Sequence, residues 1–158
     1  MAKLESGNLA PAFRAQDSFG LEVNLSDFIG KNVVLYFYPK DNTPGCTTEA
    51  QDFSALLEEF ENLNCVILGV SPDSQKSHQN FITKQKLKIT LLSDPDKQIA
   101  TSYGAYGEKL MYGKKVMGII RSSFVIDMEG KIAKAYYNVK AKGHAQKVLE
   151  DMQKTLGK

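Results

Sequence analysis

The chain has no tryptophan, only two cysteines (Cys46 and Cys65) and only two histidines (His78 and His144). Two cysteines are too few for a disulfide scaffold, and a reducing compartment keeps both as thiols. Cysteines and histidines lie far apart in sequence, so no metal-ligand spacing is present and no metal is expected. Neither sign of charge dominates: 20 basic and 18 acidic side chains leave a net charge of +2, too small to point to nucleic acid. Lys140, Lys142 and Lys147 read as a solvated surface. No stretch approaches the roughly 18 apolar residues of a membrane span, and the opening "MAKLESGNLAPAF" lacks a signal-peptide core. No membrane association is therefore expected, and the cytoplasm is the expected location. What remains is 158 residues, 42% hydrophobic and 24% charged, the make-up of one globular domain spanning 1–158.

Strand-like and helix-like segments alternate along it. "LEVNLSDF" (Leu21–Phe28) alternates apolar and polar residues, as a short edge strand does. "NVVLYFY" (Asn32–Tyr38) is almost continuously apolar, the pattern of a central strand covered on both faces, and Pro39 ends it. From Thr47 to Asn62, Ala50, Phe53, Leu56, Leu57 and Phe60 recur at helical spacing, with Glu49, Asp52, Glu58 and Glu59 on the opposite face. Strands are expected at Cys65–Ser71 and Ile89–Asp94, and helices at Ser77–Leu87 and Lys97–Ala105. Tyr106–Lys115 reads as a loop. Ser122–Asp127 and Lys131–Val139 form a hairpin around "MEG", and Gly143–Gly157 is an amphipathic closing helix. This order predicts an α/β fold, a central mixed sheet flanked by helices on both faces, with a thioredoxin-like layout among those that satisfy it.

The informative stretch is "YPKDNTPGCTTEA", Tyr38–Ala50. Cys46 follows the carboxyl end of the central strand, where open α/β sheets bind ligands, and sits in the first turn of a helix. Backbone N–H groups there have no intrahelical partner and the helix dipole favours an anion, so a thiolate is stabilised and becomes a nucleophile. Thr43, three residues earlier across the Pro44–Gly45 turn, can point its hydroxyl into the same pocket; as a bare residue type it is equally an N-cap.

"FYPKDNTPGCTTEA" resembles the active-site segment of the peroxiredoxins, in particular the bacterioferritin comigratory protein or peroxiredoxin Q group of AhpC/TSA-like proteins. Pro39, Thr43 and Cys46 fall on the family's Pro, Thr and peroxidatic Cys, and the likeness continues through "LGVSPD", "LLSDPDKQIATSYGAYG" and "RSSFVIDMEGKI". The resemblance implies a thioredoxin fold and a thiol-dependent peroxidase acting on hydrogen peroxide and organic hydroperoxides, with no metal, haem or flavin. It implies that the Cys46 thiolate becomes a sulfenic acid, that Thr43 binds the peroxide and that Pro39 shields the pocket. Arg121 in "GIIRSSFVID" takes the place of the family's arginine before a late strand, and the N–H groups of Gly45 and Cys46 complete the polar wall. Thioredoxin or another external thiol is the implied reductant, with the protein a monomer or weak homodimer.

Many members of that group carry a resolving cysteine five residues after the first. Here the position is Gln51. Cys65 begins an apolar strand and reads as a packed core residue. Roughly sixteen helical residues at about 1.5 Å each put it about 25 Å from Cys46, whereas a disulfide needs Cα atoms within roughly 7 Å. No resolving cysteine is assigned, and a one-cysteine cycle is expected. His78 and His144 read as exposed histidines at helix starts. A CxxC reductase is excluded by the missing second cysteine, and a cysteine hydrolase has no histidine in a recognisable motif. A non-enzymatic peroxide sensor or holdase-like protein using Cys46 shares the first chemical step and differs only in lacking turnover.

Overall fold

The computed structural model describes residues 3–156. Along the chain run β1 (Arg14–Asp17), β2 (Glu22–Asn24), a 3-10 turn (Leu25–Phe28), β3 (Asn32–Phe37), α1 (Pro44–Ala55), α2 (Leu57–Glu61), β4 (Cys65–Ser71), α3 (Gln75–Gln85), β5 (Thr90–Ser93), α4 (Gln98–Ser102), β6 (Tyr106–Met111), β7 (Lys114–Ile119), β8 (Ser122–Ile126), β9 (Ile132–Tyr136) and α5 (His144–Leu156). Seven strands form one mixed sheet in the order β2-β1-β5-β4-β3-β8-β9, and β6 pairs with β7 in a separate two-stranded ribbon. β3, β4 and β5 are parallel; β8 lies antiparallel to β3, with Phe37 opposite Ser122.

The apolar run of β3 is buried at every residue because both of its faces are covered. Val34 and Tyr36 point into one core with Phe53 of α1, Phe60 of α2, Phe81 of α3 and Val148 of α5. Val33, Leu35 and Phe37 point into the other, with Ile99 and Ala100 of α4, Phe13 and Leu25. The expected α/β architecture with helices on both faces is thus present.

Several expected elements shift. The Leu21–Phe28 strand is β2 alone, an edge strand as read, and then turns into 3-10 geometry so that Leu25 is buried. The expected helix from Thr47 starts earlier, at Pro44, and breaks at Leu56. Tyr106–Lys115 is not a loop but the first half of the β6–β7 hairpin. Glu108, Leu110, Met111, Lys114, Lys115 and Met117 are all exposed and only Ile119 of the ribbon's side chains is buried, too little to impose clean alternation on its sequence. Gly157, the expected end of the last helix, lies outside the described residues. Among those described, no helix is long and apolar enough to cross a membrane.

Candidate active site

Three elements meet at the carboxyl end of β3. The Tyr38–Thr43 loop leaves the sheet there. Thr43 takes extended backbone (φ −89°, ψ 155°) at the N-cap position, Pro44 opens α1, and the Thr43 carbonyl accepts the first intrahelical bond from the Thr47 N–H at 2.8 Å. Proline suits this place because its missing N–H would have had no intrahelical partner. The N–H groups of Gly45 and Cys46 precede that first bond, at the positive end of the helix. Antiparallel pairing of β8 with β3 sets the start of β8 beside the end of β3, which delivers Arg121 to the same edge.

The side chains converge. Arg121 donates from Nη2 to the Cys46 Sγ at 3.3 Å and from Nη1 to Glu49 Oε1 at 2.6 Å. Cys46 is 1% exposed. Gly45 lies under the guanidinium: a Cβ there would come within 3.2 Å of Arg121 Nη2. Thr43 does not cap α1 with its side chain; its hydroxyl donates to the Lys40 carbonyl at 2.8 Å. Pro39 is half-buried in the loop between β3 and Thr43.

Glu49 corrects the sequence expectation. The helical spacing predicts it on the solvent face, yet it is fully buried, one turn beyond Cys46 on the same face. Burial lifts its carboxyl to about 7 against the pull of Arg121, and its Oε2 has no hydrogen-bond partner. Its polar neighbours Thr47, Thr48, Gln51 and Asp52 concealed this; the i, i+3 spacing from Cys46 was the available signal.

Both histidines also differ from expectation. His144, expected to be exposed, is buried and its Nε2 meets Ser123 Oγ at 2.7 Å. Burial, with the nearby Arg121 charge, lowers it to about 4, so it is neutral. His78, read as a surface residue, is fully buried, with Nδ1 2.8 Å from Asp41 Oδ2 and Nε2 3.0 Å from the Leu92 carbonyl. α3 is largely polar, but His78 and Phe81 lie one turn apart on its inner face. Asp41, Asp73 and His78 bring three ligand-type atoms together, a cluster that sequence spacing did not reveal. Protein donors already occupy the Asp41 carboxylate, and the Leu92 carbonyl faces His78 Nε2, as a structural network requires. Lys109, in the hairpin, carries no signal in the sequence: it donates to the Ile119 carbonyl at 2.8 Å, and burial together with Arg121 lowers its pKa.

Cys65 stands elsewhere. It pairs with Asn32 at the opposite end of β3 from the loop that leads to Cys46. Burial pushes its thiol up to about 12. Gln51 is exposed on α1 and donates to Gln85 Oε1 at 3.0 Å, tying α1 to the end of α3.

A fully buried sulfur at a helix N-terminus, 3.3 Å from a guanidinium, lies where negative charge is favoured. Residues 6–135 match the AhpC/TSA family, and the chain belongs to it. It is a peroxiredoxin, a thiol-dependent peroxidase, and it is similar to proteins of the Bcp and PrxQ kind. A peroxiredoxin bcp of Helicobacter pylori (strain J99) is 59% identical over 152 residues, 96% of this chain and 100% of that protein. Peroxiredoxin Bcp of Bacillus subtilis is 46% identical over 149 residues, 94% and 95% of the two chains. Among solved structures, the bacterioferritin comigratory protein of Xanthomonas campestris, studied for alkyl peroxide reduction, superposes with a TM-score of 0.89 at 42% identity over 96% of this chain and 99% of that one. A cysteine mutant of Xylella fastidiosa PrxQ gives 0.92 at 38% identity over 98% and 99%.

Proposed function

We propose that Cys46 is the peroxidatic cysteine and that it works in a one-cysteine cycle on hydrogen peroxide and alkyl hydroperoxides. The carrying observation is the 3.3 Å hydrogen bond from Arg121 to Cys46 Sγ. The thiolate attacks the terminal peroxide oxygen: an S–O bond forms, the O–O bond breaks, and the sulfur is oxidised to a sulfenic acid. The leaving oxygen departs as hydroxide or alkoxide and takes up a proton to give water or an alcohol. Arg121 and the N–H groups of Gly45 and Cys46 stabilise the charge that passes from sulfur to oxygen. Thr43 spends its single hydroxyl hydrogen on the Lys40 carbonyl. Its oxygen is left as an acceptor for the O–H of the peroxide. Pro39 forms part of the wall that keeps water out.

An external thiol, thioredoxin or another, then displaces water from the sulfenic acid to give a mixed disulfide, and a second thiol releases Cys46. Two features support resolution from outside: Gln51 stands five residues after Cys46, and Cys65 lies at the far end of the sheet. The expected setting is the cytoplasm. Peroxide consumption coupled to thioredoxin or dithiothreitol oxidation tests the cycle in wild type, Cys46→Ser and Cys65→Ser. Activity is expected to vanish in Cys46→Ser and to persist in Cys65→Ser. Loss of activity in Cys65→Ser would refute the one-cysteine cycle. A single stoichiometric oxidation with no turnover by any thiol would favour a peroxide sensor.

A further inference from the structure

The loop that carries Pro39 and Thr43 is fixed from behind by residues that never reach the sulfur. Asp41 is the centre of this arrangement. Its Oδ1 accepts from the Tyr38 hydroxyl at 2.6 Å, and its Oδ2 accepts from Ser77 Oγ at 2.8 Å and faces His78 Nδ1 at 2.8 Å. Because a carbonyl oxygen only accepts, the Leu92 carbonyl at 3.0 Å requires a proton on His78 Nε2, so β5 holds α3 and α3 holds Asp41. The Asp41 N–H donates to Asp73 Oδ2 at 2.7 Å, and Ser71 Oγ donates to the same oxygen at 2.7 Å.

One peptide unit joins these contacts to the site. The Asp41 N–H and the Lys40 carbonyl belong to the same rigid plane, and they point in opposite directions along it. Asp73 holds the N–H side, while the carbonyl side receives the Thr43 hydroxyl at 2.8 Å. Whatever fixes the 40–41 plane therefore fixes the direction in which the Thr43 oxygen presents its lone pairs.

We propose that Asp73, with Asp41 and His78, is a positioning residue for the peroxidase reaction: through the 40–41 peptide it orients the Thr43 hydroxyl toward the peroxide. It rests on the assignment of Thr43 and Cys46 made above. Asp73 is half-buried, which makes it the member of the group that can be replaced with least damage to the core.

The test is the second-order rate constant for hydrogen peroxide in wild type, Asp73→Ala, Asp73→Asn, Thr43→Val and the Thr43→Val/Asp73→Ala double variant. The alkylation rate of Cys46 by iodoacetamide at pH 7 is measured on each. Asp73→Ala is expected to lose roughly 10-fold or more in the peroxide rate constant, the scale on which small misplacements act. Asp73→Asn is expected to recover most of that loss, because its amide oxygen still accepts from the Asp41 N–H. Alkylation should stay within about twofold, since Arg121 and Glu49 are untouched, and Asp73→Ala should add less than about twofold in the Thr43→Val background. Ser71→Ala, which loosens Asp73 without removing it, is expected to show a smaller loss of the same kind and serves if Asp73→Ala does not fold. An unchanged peroxide rate in folded Asp73→Ala or Ser71→Ala, or a full loss that persists without the Thr43 hydroxyl, would overturn the proposal. A wild type whose Cys46 does not react with peroxide would overturn the assignment it rests on as well.

Discussion

At the scale of single residues, the arrangement turns on one guanidinium shared between two partners. Arg121 bridges the Cys46 sulfur and the Glu49 carboxylate with two different nitrogens. A lysine keeps the charge but offers one compact ammonium on a flexible stem, and it cannot hold both geometries at once. Arg121→Lys is therefore expected to lower the rate constant for peroxide on the order of 100-fold, comparable to removing a donor from an oxyanion site. Circular dichroism checks that the fold survives. A loss under threefold would show that charge alone suffices. Cys46, Thr43 and Pro39 stood out in the sequence because they fall on a spaced motif, and Arg121 only through the family likeness of the segment before a late strand. Glu49 and Asp41 did not. Each is a carboxylate in a polar stretch, and only the tertiary partners, Arg121 just before β8 and His78 from α3, explain its burial.

At the scale of elements, α1 is seated on the sheet through Tyr36. The Tyr36 and Phe53 rings stack at 4.7 Å, and Tyr36 lies over Gly69 of the neighbouring strand. A Cβ at Gly69 would meet Tyr36 Cζ at 2.8 Å and Leu91 Cδ2 at 2.9 Å. Gly69→Ala is thus expected to cost about 1–3 kcal/mol, the range for overpacking a tight core, read as a lower urea midpoint. An unchanged midpoint would mean that Tyr36 moves freely and does not seat α1. The central strands and the long helices were legible because burial forces an apolar period. The β6–β7 ribbon was not, because its exposed side chains carry no such period. β1 also escaped notice, since a four-residue segment with one buried side chain, Ala15, leaves almost no pattern even between two partner strands.

At the scale of the whole molecule, two buried groups pull stability in opposite directions in mild acid. His144 is neutral in the folded protein because burial lowers it from its ordinary 6.5 to about 4. The unfolded chain takes up a proton on this side chain as pH drops below about 6.5, while the folded chain refuses it until about pH 4, so stability decreases with falling pH across that window. Fully developed, the shift corresponds to about 3 kcal/mol. Glu49 acts in the opposite sense, since its raised carboxyl, at about 7, favours the folded state as pH falls. The difference between wild type and His144→Gln isolates the histidine. The wild type is expected to lose more urea stability than the variant between pH 7 and pH 4.5, and equal losses would contradict a buried neutral imidazole.

The central claim is that Cys46 is the atom oxidised and that no second cysteine in the chain completes the reaction. One equivalent of hydrogen peroxide, a sulfenic-acid trap, and intact and peptide mass spectra of wild type and Cys65→Ser test it directly. The expected result is a trapped adduct on Cys46 in both proteins, with no intramolecular disulfide and no modification of Cys65, whose thiol burial holds at about 12. A Cys46–Cys65 disulfide that disappears in Cys65→Ser, or an unmodified Cys46, would contradict the account.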